Sequence, residues 1–266
     1  MKRVYFLPNL ITTLGLACGL LVIFKMAMAQ PGMVGYPILR TSVLLLIVAS
    51  IADLLDGAIA RLFKMESDFG ALFDSLSDAV TFGVAPAVLA LKSLNVYPQT
   101  PLGIVASIGA MLYAVCGVLR LVRYNVYAKE GNSRLQPITK YRIFIGLPIP
   151  AAAIALIALS LFFASPQLKR LVEVGELTRV ITVTAVMILL GYLMISRIIF
   201  PGIKAFHFRL WPTHLILVTV AVTVLGFYGL LYYFPFIFAI LAWGYLAIAA
   251  LAATARLLSK KRETKS

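Results

Sequence analysis

Hydrophobic residues make up 62% of the 266-residue chain and charged residues only 13%, where a soluble domain carries roughly 45–50% and about 25%. With a mean hydropathy of +0.98, that balance excludes soluble one- or two-domain architectures, and with them a disordered chain, a fibrous repeat and a disulfide scaffold. The 24 Lys and Arg residues outnumber 10 Asp and Glu, a net charge of +14; in a soluble protein this would point to nucleic acid, so the positions of the charges must decide.

A membrane-crossing helix needs about 20 mainly apolar residues. Eight such stretches follow one another: about 7–28, 41–62, 70–95, 102–126, 143–164, 178–196, 213–233 and 236–256. The predicted fold is therefore all-α, a polytopic bundle of about eight transmembrane helices forming a single integral-membrane domain over residues 1–266. The first stretch follows Met-Lys-Arg and reaches Ala27-Met28-Ala29, which imitates a cleaved signal. Its apolar run from Val4 to Phe24 exceeds the roughly 7–15 residues of a signal core, and the expectation is a retained span. Turn residues such as Gln30-Pro31-Gly32 and Tyr97-Pro98-Gln99-Thr100-Pro101 separate the spans. The last two, split only by Pro235, read as a C-terminal helical hairpin at about 213–256. Cys18 and Cys116 lie inside apolar stretches and read as small buried hydrophobes; His207 and His214 read as interface residues.

Of the 24 basic residues, 18 fall in one alternating set of loops and termini and six in the other. The positive-inside rule then places both termini in the cytoplasm. The basic excess is thus accounted for by topology and by attraction to anionic membrane lipid, with no nucleic-acid partner expected.

The acidic residues are more selective. Asp53, Asp56, Asp74 and Asp78 lie within spans two and three, and an ionisable group inside a bilayer is a functional hypothesis by default. Asp53 and Asp56 are three apart and Asp74 and Asp78 four apart, so each pair shares a helix face. At about 1.5 Å rise per residue, a hairpin folded at residues 62–69 brings all four together roughly 8–14 Å below the cytoplasmic interface. Four like charges in low dielectric require cations, and oxygen-only ligands favour Mg²⁺ or Mn²⁺, with two ions expected for four carboxylates. Gly57 would let a ligand approach the helix closely, Ala60 keeps the face below Asp56 open, and Arg61 offers a cation suited to phosphate. Gly70 opens the next helix, with Ser67 and Asp68 as capping candidates.

The string Asp53-x2-Asp56-Gly57-x2-Ala60-Arg61-x8-Gly70-x3-Asp74-x3-Asp78 closely resembles the signature of the CDP-alcohol phosphotransferase family of integral membrane enzymes, with all eight residues at the family spacing. The resemblance covers at least residues 8–126 and implies a family core over about residues 1–200. It implies that Asp53, Asp56, Asp74 and Asp78 bind metal, that Asp78 is also the general base, and that Gly57, Arg61 and Ser67, with Ala60 and Gly70 beside them, hold the CDP-diacylglycerol donor. Pro8-Asn9-Leu10-Ile11-Thr12 resembles the family's first-helix segment, whose Asn and Thr (here Asn9 and Thr12) approach the nucleotide.

Two looser stretches, 69–78 with 82–87 and 119–125 with 146–153, resemble the serine-using branch, the phosphatidylserine synthases. That branch implies transfer of a phosphatidyl group to L-serine with release of CMP, and the family commonly forms homodimers, so a homodimer in the cell membrane is expected. Arg120 and Arg123, three apart at the end of span four, and Arg142 before span five are the candidates to pair with the serine carboxylate. Glycerol 3-phosphate, inositol phosphate or a diradylglycerol as acceptor, and a cation transporter, are the competing readings; carboxylates grouped near one face, without internal repeats, speak against transport.

Overall fold

The computed structural model describes residues 6–30, 32–62, 68–129, 143–172, 174–196, 198–201 and 234–263. In chain order these form α1 (Phe6–Met28), α2 (Tyr36–Leu62), α3 (Asp68–Asp78), a π-helical segment (Ala79–Val84), α4 (Ala85–Ser93), α5 (Pro101–Lys129), β1 (Ile143–Ile145), α6 (Ile149–Ala164), α7 (Pro166–Leu171), α8 (Glu176–Ile195), β2 (Ile199–Pro201) and α9 (Phe234–Glu263). Among the described residues, six stretches are long and apolar enough to cross a membrane: Asn9–Met28, Tyr36–Asp56, Phe69–Ser93, Pro101–Val126, Glu176–Ile195 and Phe234–Leu251. Apart from one short two-stranded ribbon, the described residues are helical, and the chain is a multi-pass membrane protein. The predicted span 213–233 lies outside the described residues.

Packing divides around α6. One core joins Tyr113 of α5, Leu156 of α6 and Met187 of α8; the other joins Val22 of α1, Val43 of α2, Leu89 of α4 and Ile157 of α6. Neighbouring residues of α6 thus face opposite halves, and a helix apolar all round belongs in an interior. Its Ala152, Ala153, Ala155 and Ala158 are buried, and small residues allow the close backbone approach on which helix association in lipid depends. The outer face of α5, with Ile104, Ile108, Met111 and Val115 exposed, is suited to acyl chains.

Span five is shorter than its apolar run. Residues 143–145 pair antiparallel with 199–201, Gly146 turns the chain at φ +78°, and Pro148 precedes the 16-residue helix that starts at Ile149. A Cβ on Gly146 would lie 2.5 Å from the Met194 carbonyl oxygen, so this turn is open only to glycine. Span three is interrupted as well. Between Asp78 and Ala85 the helix takes the wider π form, its end marked by an Ala85 N–H bond to the Val80 carbonyl. Pro86 has no N–H to return to Phe82, and the Phe82 carbonyl instead accepts from the Tyr113 hydroxyl at 3.2 Å.

At the end of the bundle away from the carboxylates, polar side chains tie the turns together. Asn95, at φ +56°, brackets the Val34 backbone, accepting from its N–H at 3.2 Å and donating to its carbonyl at 3.1 Å. Lys92 donates to the Ala29 carbonyl at 3.2 Å and Arg179 to that of Leu94 at 2.7 Å. Lys25 bonds the Thr41 hydroxyl. Three of the six minority basic residues therefore serve as caps and cross-links here.

Candidate active site

Helices α2 and α3 bring the paired aspartates to one place. Carboxylate oxygens of Asp53, Asp56 and Asp74 all lie within 4.8 Å of one another. Asp78 joins them in lining a small cleft, along with Thr12, Gly15, Ala49, Ser77 and Thr81. The three- and four-residue spacings are what place each pair on the facing side of its helix.

Helix α1 closes the cleft and contributes no charge. Thr12 donates its hydroxyl to Asp56 at 2.7 Å, a bond in which both residues are buried. In return, Ser77 of α3 donates to the Thr12 carbonyl at 3.4 Å and Thr81 to the Gly15 carbonyl at 3.5 Å. The close approach depends on glycine: a Cβ on Gly19 would stand 2.8 Å from Thr81 Oγ1 and 2.9 Å from its Cα. Ala49 and Ala52 of α2, both buried, leave the same room on the other side.

The donor set suits a hard divalent cation: all ligands are carboxylate oxygens, three converge, and a hydroxyl at Asp56 orients one of them. Asp53, Asp56 and Asp74 are the residues that would hold it, with Asp78 beside them.

Arg120 lies on the α5 side of the cleft within electrostatic reach of Asp78; its Nε has no hydrogen-bond partner among the described residues. Arg123, one turn further, is committed elsewhere. Its guanidinium donates to the Ile195 carbonyl at 2.6 Å and to that of Met194 at 3.3 Å, satisfying the last turn of α8. The two arginines, indistinguishable in sequence, do different work. Asn9 sits in the first turns of α1, its carbonyl accepting from Thr13 at 2.6 Å. Gly57, Ala60 and Arg61 form the last turns of α2, and Gly70 the first turn of α3. Ser67 and Arg142 lie outside the described residues.

Ser77 and Thr81 were missing from the sequence-based site. The signal was present: Asp74, Ser77, Asp78 and Thr81 recur at three- and four-residue intervals, so the polar face of span three continues past its last aspartate. Tyr113 carries no comparable signal, since a tyrosine in a span reads equally well as an interface anchor.

The CDP-alcohol phosphatidyltransferase family matches residues 5–191, more than two thirds of the chain. The chain belongs to this family. Among its relatives is the CDP-diacylglycerol–serine O-phosphatidyltransferase of Mycobacterium tuberculosis H37Rv, 39% identical over 154 residues, or 58% of this chain and 48% of that protein. Proteins of the same name from Bacillus subtilis 168 and Methanocaldococcus jannaschii are 34% identical over 75% of this chain and 92% of that one, and 31% identical over 76% of each. The chain spans about half the length of the mycobacterial relatives that it matches. Membership covers α1 to most of α8, so all four aspartates fall within the family region.

Proposed function

We propose that the protein transfers the phosphatidyl group of CDP-diacylglycerol to the hydroxyl of L-serine, giving phosphatidylserine and CMP. The observation that carries this reading is the convergence of the signature carboxylates in one cleft, in a chain whose relatives cited above bear the name of the serine reaction. The serine oxygen forms a bond to the lipid-linked phosphorus while the bond from that phosphorus to the CMP oxygen breaks, CMP leaving with the electron pair. Asp78 accepts the serine hydroxyl proton. Asp53, Asp56, Asp74 and Asp78 would hold Mg²⁺ or Mn²⁺, with two ions for the four-carboxylate set. When bound, these ions supply positive charge against the donor pyrophosphate and the departing CMP. Asn9, Thr12, Gly57, Ala60, Arg61, Ser67 and Gly70 belong to the donor side of the cleft. Arg120, with free hydrogen-bonding capacity beside Asp78, pairs with the serine carboxylate and so sets the hydroxyl near its base.

The cleft opens toward the cytoplasm in this reading, with both termini on that side, the protein in the cell membrane as a homodimer, and the acyl chains left in the bilayer. A family core at about residues 1–200 carries the chemistry, and the hairpin at about 213–256 supports it. The test is purified protein with CDP-diacylglycerol and a panel of labelled acceptors: serine, glycerol 3-phosphate and inositol phosphate. CMP release that depends on serine and yields phosphatidylserine is expected. Release with another acceptor alone would move the protein to a different branch of the family, and no release with any would remove the transferase reading.

A further inference from the structure

Helix α3 carries two of the four aspartates, and α5 bonds to it and to the π-helical segment that continues it, on either side of Asp78. Toward the bundle interior, fully buried Tyr113 donates to the Phe82 carbonyl at 3.2 Å. Pro86, four residues on, has no N–H to offer that carbonyl. Toward the opposite end, Asn125 Nδ2 donates to Ser75 Oγ at 3.0 Å, and the Ser75 hydroxyl lies 3.1 Å from the Ala71 carbonyl, to which it donates. Ser75 directly follows Asp74; Phe82 is four residues past Asp78. Arg120 lies between the two contacts. Because α3 and the π-helical segment that continues it run antiparallel to α5, ascending residues of α5 meet descending residues of that stretch: Tyr113 with Phe82 and Asn125 with Ser75.

Two neutral hydrogen bonds at separate depths constrain both the rotation and the height of a helix, here on the side opposite the Ser77 and Thr81 bonds to α1. A carboxylate about 5 Å from the helix axis moves about 1 Å for each 12° of roll, and about 1 Å of misplacement can lower a rate about 10²-fold. Neither Tyr113 nor Asn125 lines the cleft. We propose that Tyr113 and Asn125 are positioning residues: holding the Phe82 carbonyl and the Ser75 hydroxyl, they set where Asp74 and Asp78 stand against Asp53 and Asp56. This assigns a purpose to Asn125 at the end of the Leu119–Asn125 stretch. It rests on the reading that the four carboxylates are the reaction site.

The test uses the full chain in lipid nanodiscs. Asn125→Ala, Ser75→Ala and their double variant are compared with Ser75→Thr and Tyr113→Phe for kcat, KM of CDP-diacylglycerol, thermal melting, and Mn²⁺ binding followed by electron paramagnetic resonance in the absence of substrate. Asn125→Ala and Ser75→Ala should each lower kcat about 10- to 100-fold and weaken Mn²⁺ binding, with donor KM little changed. The double variant should fall no further than either single one, because both remove the same contact. Ser75→Thr, which keeps the hydroxyl, should recover most of kcat, and Tyr113→Phe should lower kcat and Mn²⁺ affinity together. Wild-type kcat in the alanine variants, or losses that follow melting temperature with Mn²⁺ affinity unchanged, would overturn the proposal. Asp78→Asn run alongside separates the two levels: an active Asp78→Asn defeats the site reading, whereas an inactive one beside fully active Asn125 and Ser75 variants defeats only the positioning role.

Discussion

Gly19→Ala probes the seam on which the site is built. The added methyl would lie 2.9 Å from Thr81 Cα and 2.8 Å from Thr81 Oγ1. Ordinary carbon–carbon contact is about 3.5–4.0 Å, and the Cα is backbone, so no rotamer change relieves it. Helix α1 and the π-helical segment must part by roughly 0.8 Å. The Thr81 bond to the Gly15 carbonyl (3.5 Å) and the Ser77 bond to the Thr12 carbonyl (3.4 Å) are already at the long limit of hydrogen bonding and would be lost. Overpacking of this kind costs about 1–3 kcal/mol, and a shift approaching 1 Å at the carboxylates is worth up to about 10²-fold in rate. CMP release in nanodiscs, read beside thermal melting, should show kcat down at least about tenfold and a melting point lower by several degrees. Gly83→Ala is the matched comparison on the same segment: its methyl meets Ile149 Cδ1 at 3.8 Å and the Ala114 carbonyl at 3.9 Å, ordinary contacts, and activity should stay within about threefold. Near-wild-type turnover in Gly19→Ala, or an equal loss in Gly83→Ala, would refute the idea that close approach of α1 sets the site.

Thr12→Val removes the donor at Asp56 and should weaken Mn²⁺ about 10- to 100-fold in a direct titration; unchanged affinity would limit Thr12 to packing. Asp78→Asn should abolish turnover while leaving binding of radiolabelled CDP-diacylglycerol largely intact, and a wild-type rate would remove Asp78 from its role as base. Arg120→Ala should raise the serine KM about 10- to 100-fold, the worth of a charge-assisted pair, with donor KM unchanged. Arg123→Ala should instead lower the melting temperature, and the opposite pattern would exchange the two assignments. Chelation by EDTA should stop turnover and Mg²⁺ or Mn²⁺ restore it; persistence of activity in EDTA would sink the metal reading.

The helices and the carboxylate cluster were legible because their causes are local. Runs of about 20 apolar residues mark α1, α2, α5 and α8, and three- and four-residue spacings align Asp53 with Asp56 and Asp74 with Asp78. What escaped depends on partners distant in the chain. Hydropathy scores Ile143-Phe144-Ile145 the same whether it is helical or paired with residues 199–201, so α6 came out too long. A 3.6-residue pattern carries no mark of a five-residue hydrogen bond, and the π-helical segment passed as ordinary helix. Arg120 and Arg123 differ only in that the carbonyls of Met194 and Ile195, some 70 residues on, await the second.

The hydrogen bonds of α1 bear on how the protein is made. An aspartate at the centre of a span opposes insertion by about 2.5–3.5 kcal/mol and one nearer its end by less, and α2 and α3 carry two apiece, toward the span ends. Helix α1, which has no acidic residue, precedes both in the chain and enters the bilayer without that cost. Once there, it offers the Thr12 hydroxyl to Asp56, and the Thr12 and Gly15 carbonyls to Ser77 and Thr81. The two costly helices therefore arrive beside a template without acidic residues that already presents partners for their polar face. A chain deprived of α1 should have difficulty retaining α2 and α3 in the membrane at all, well before any question of catalysis arises.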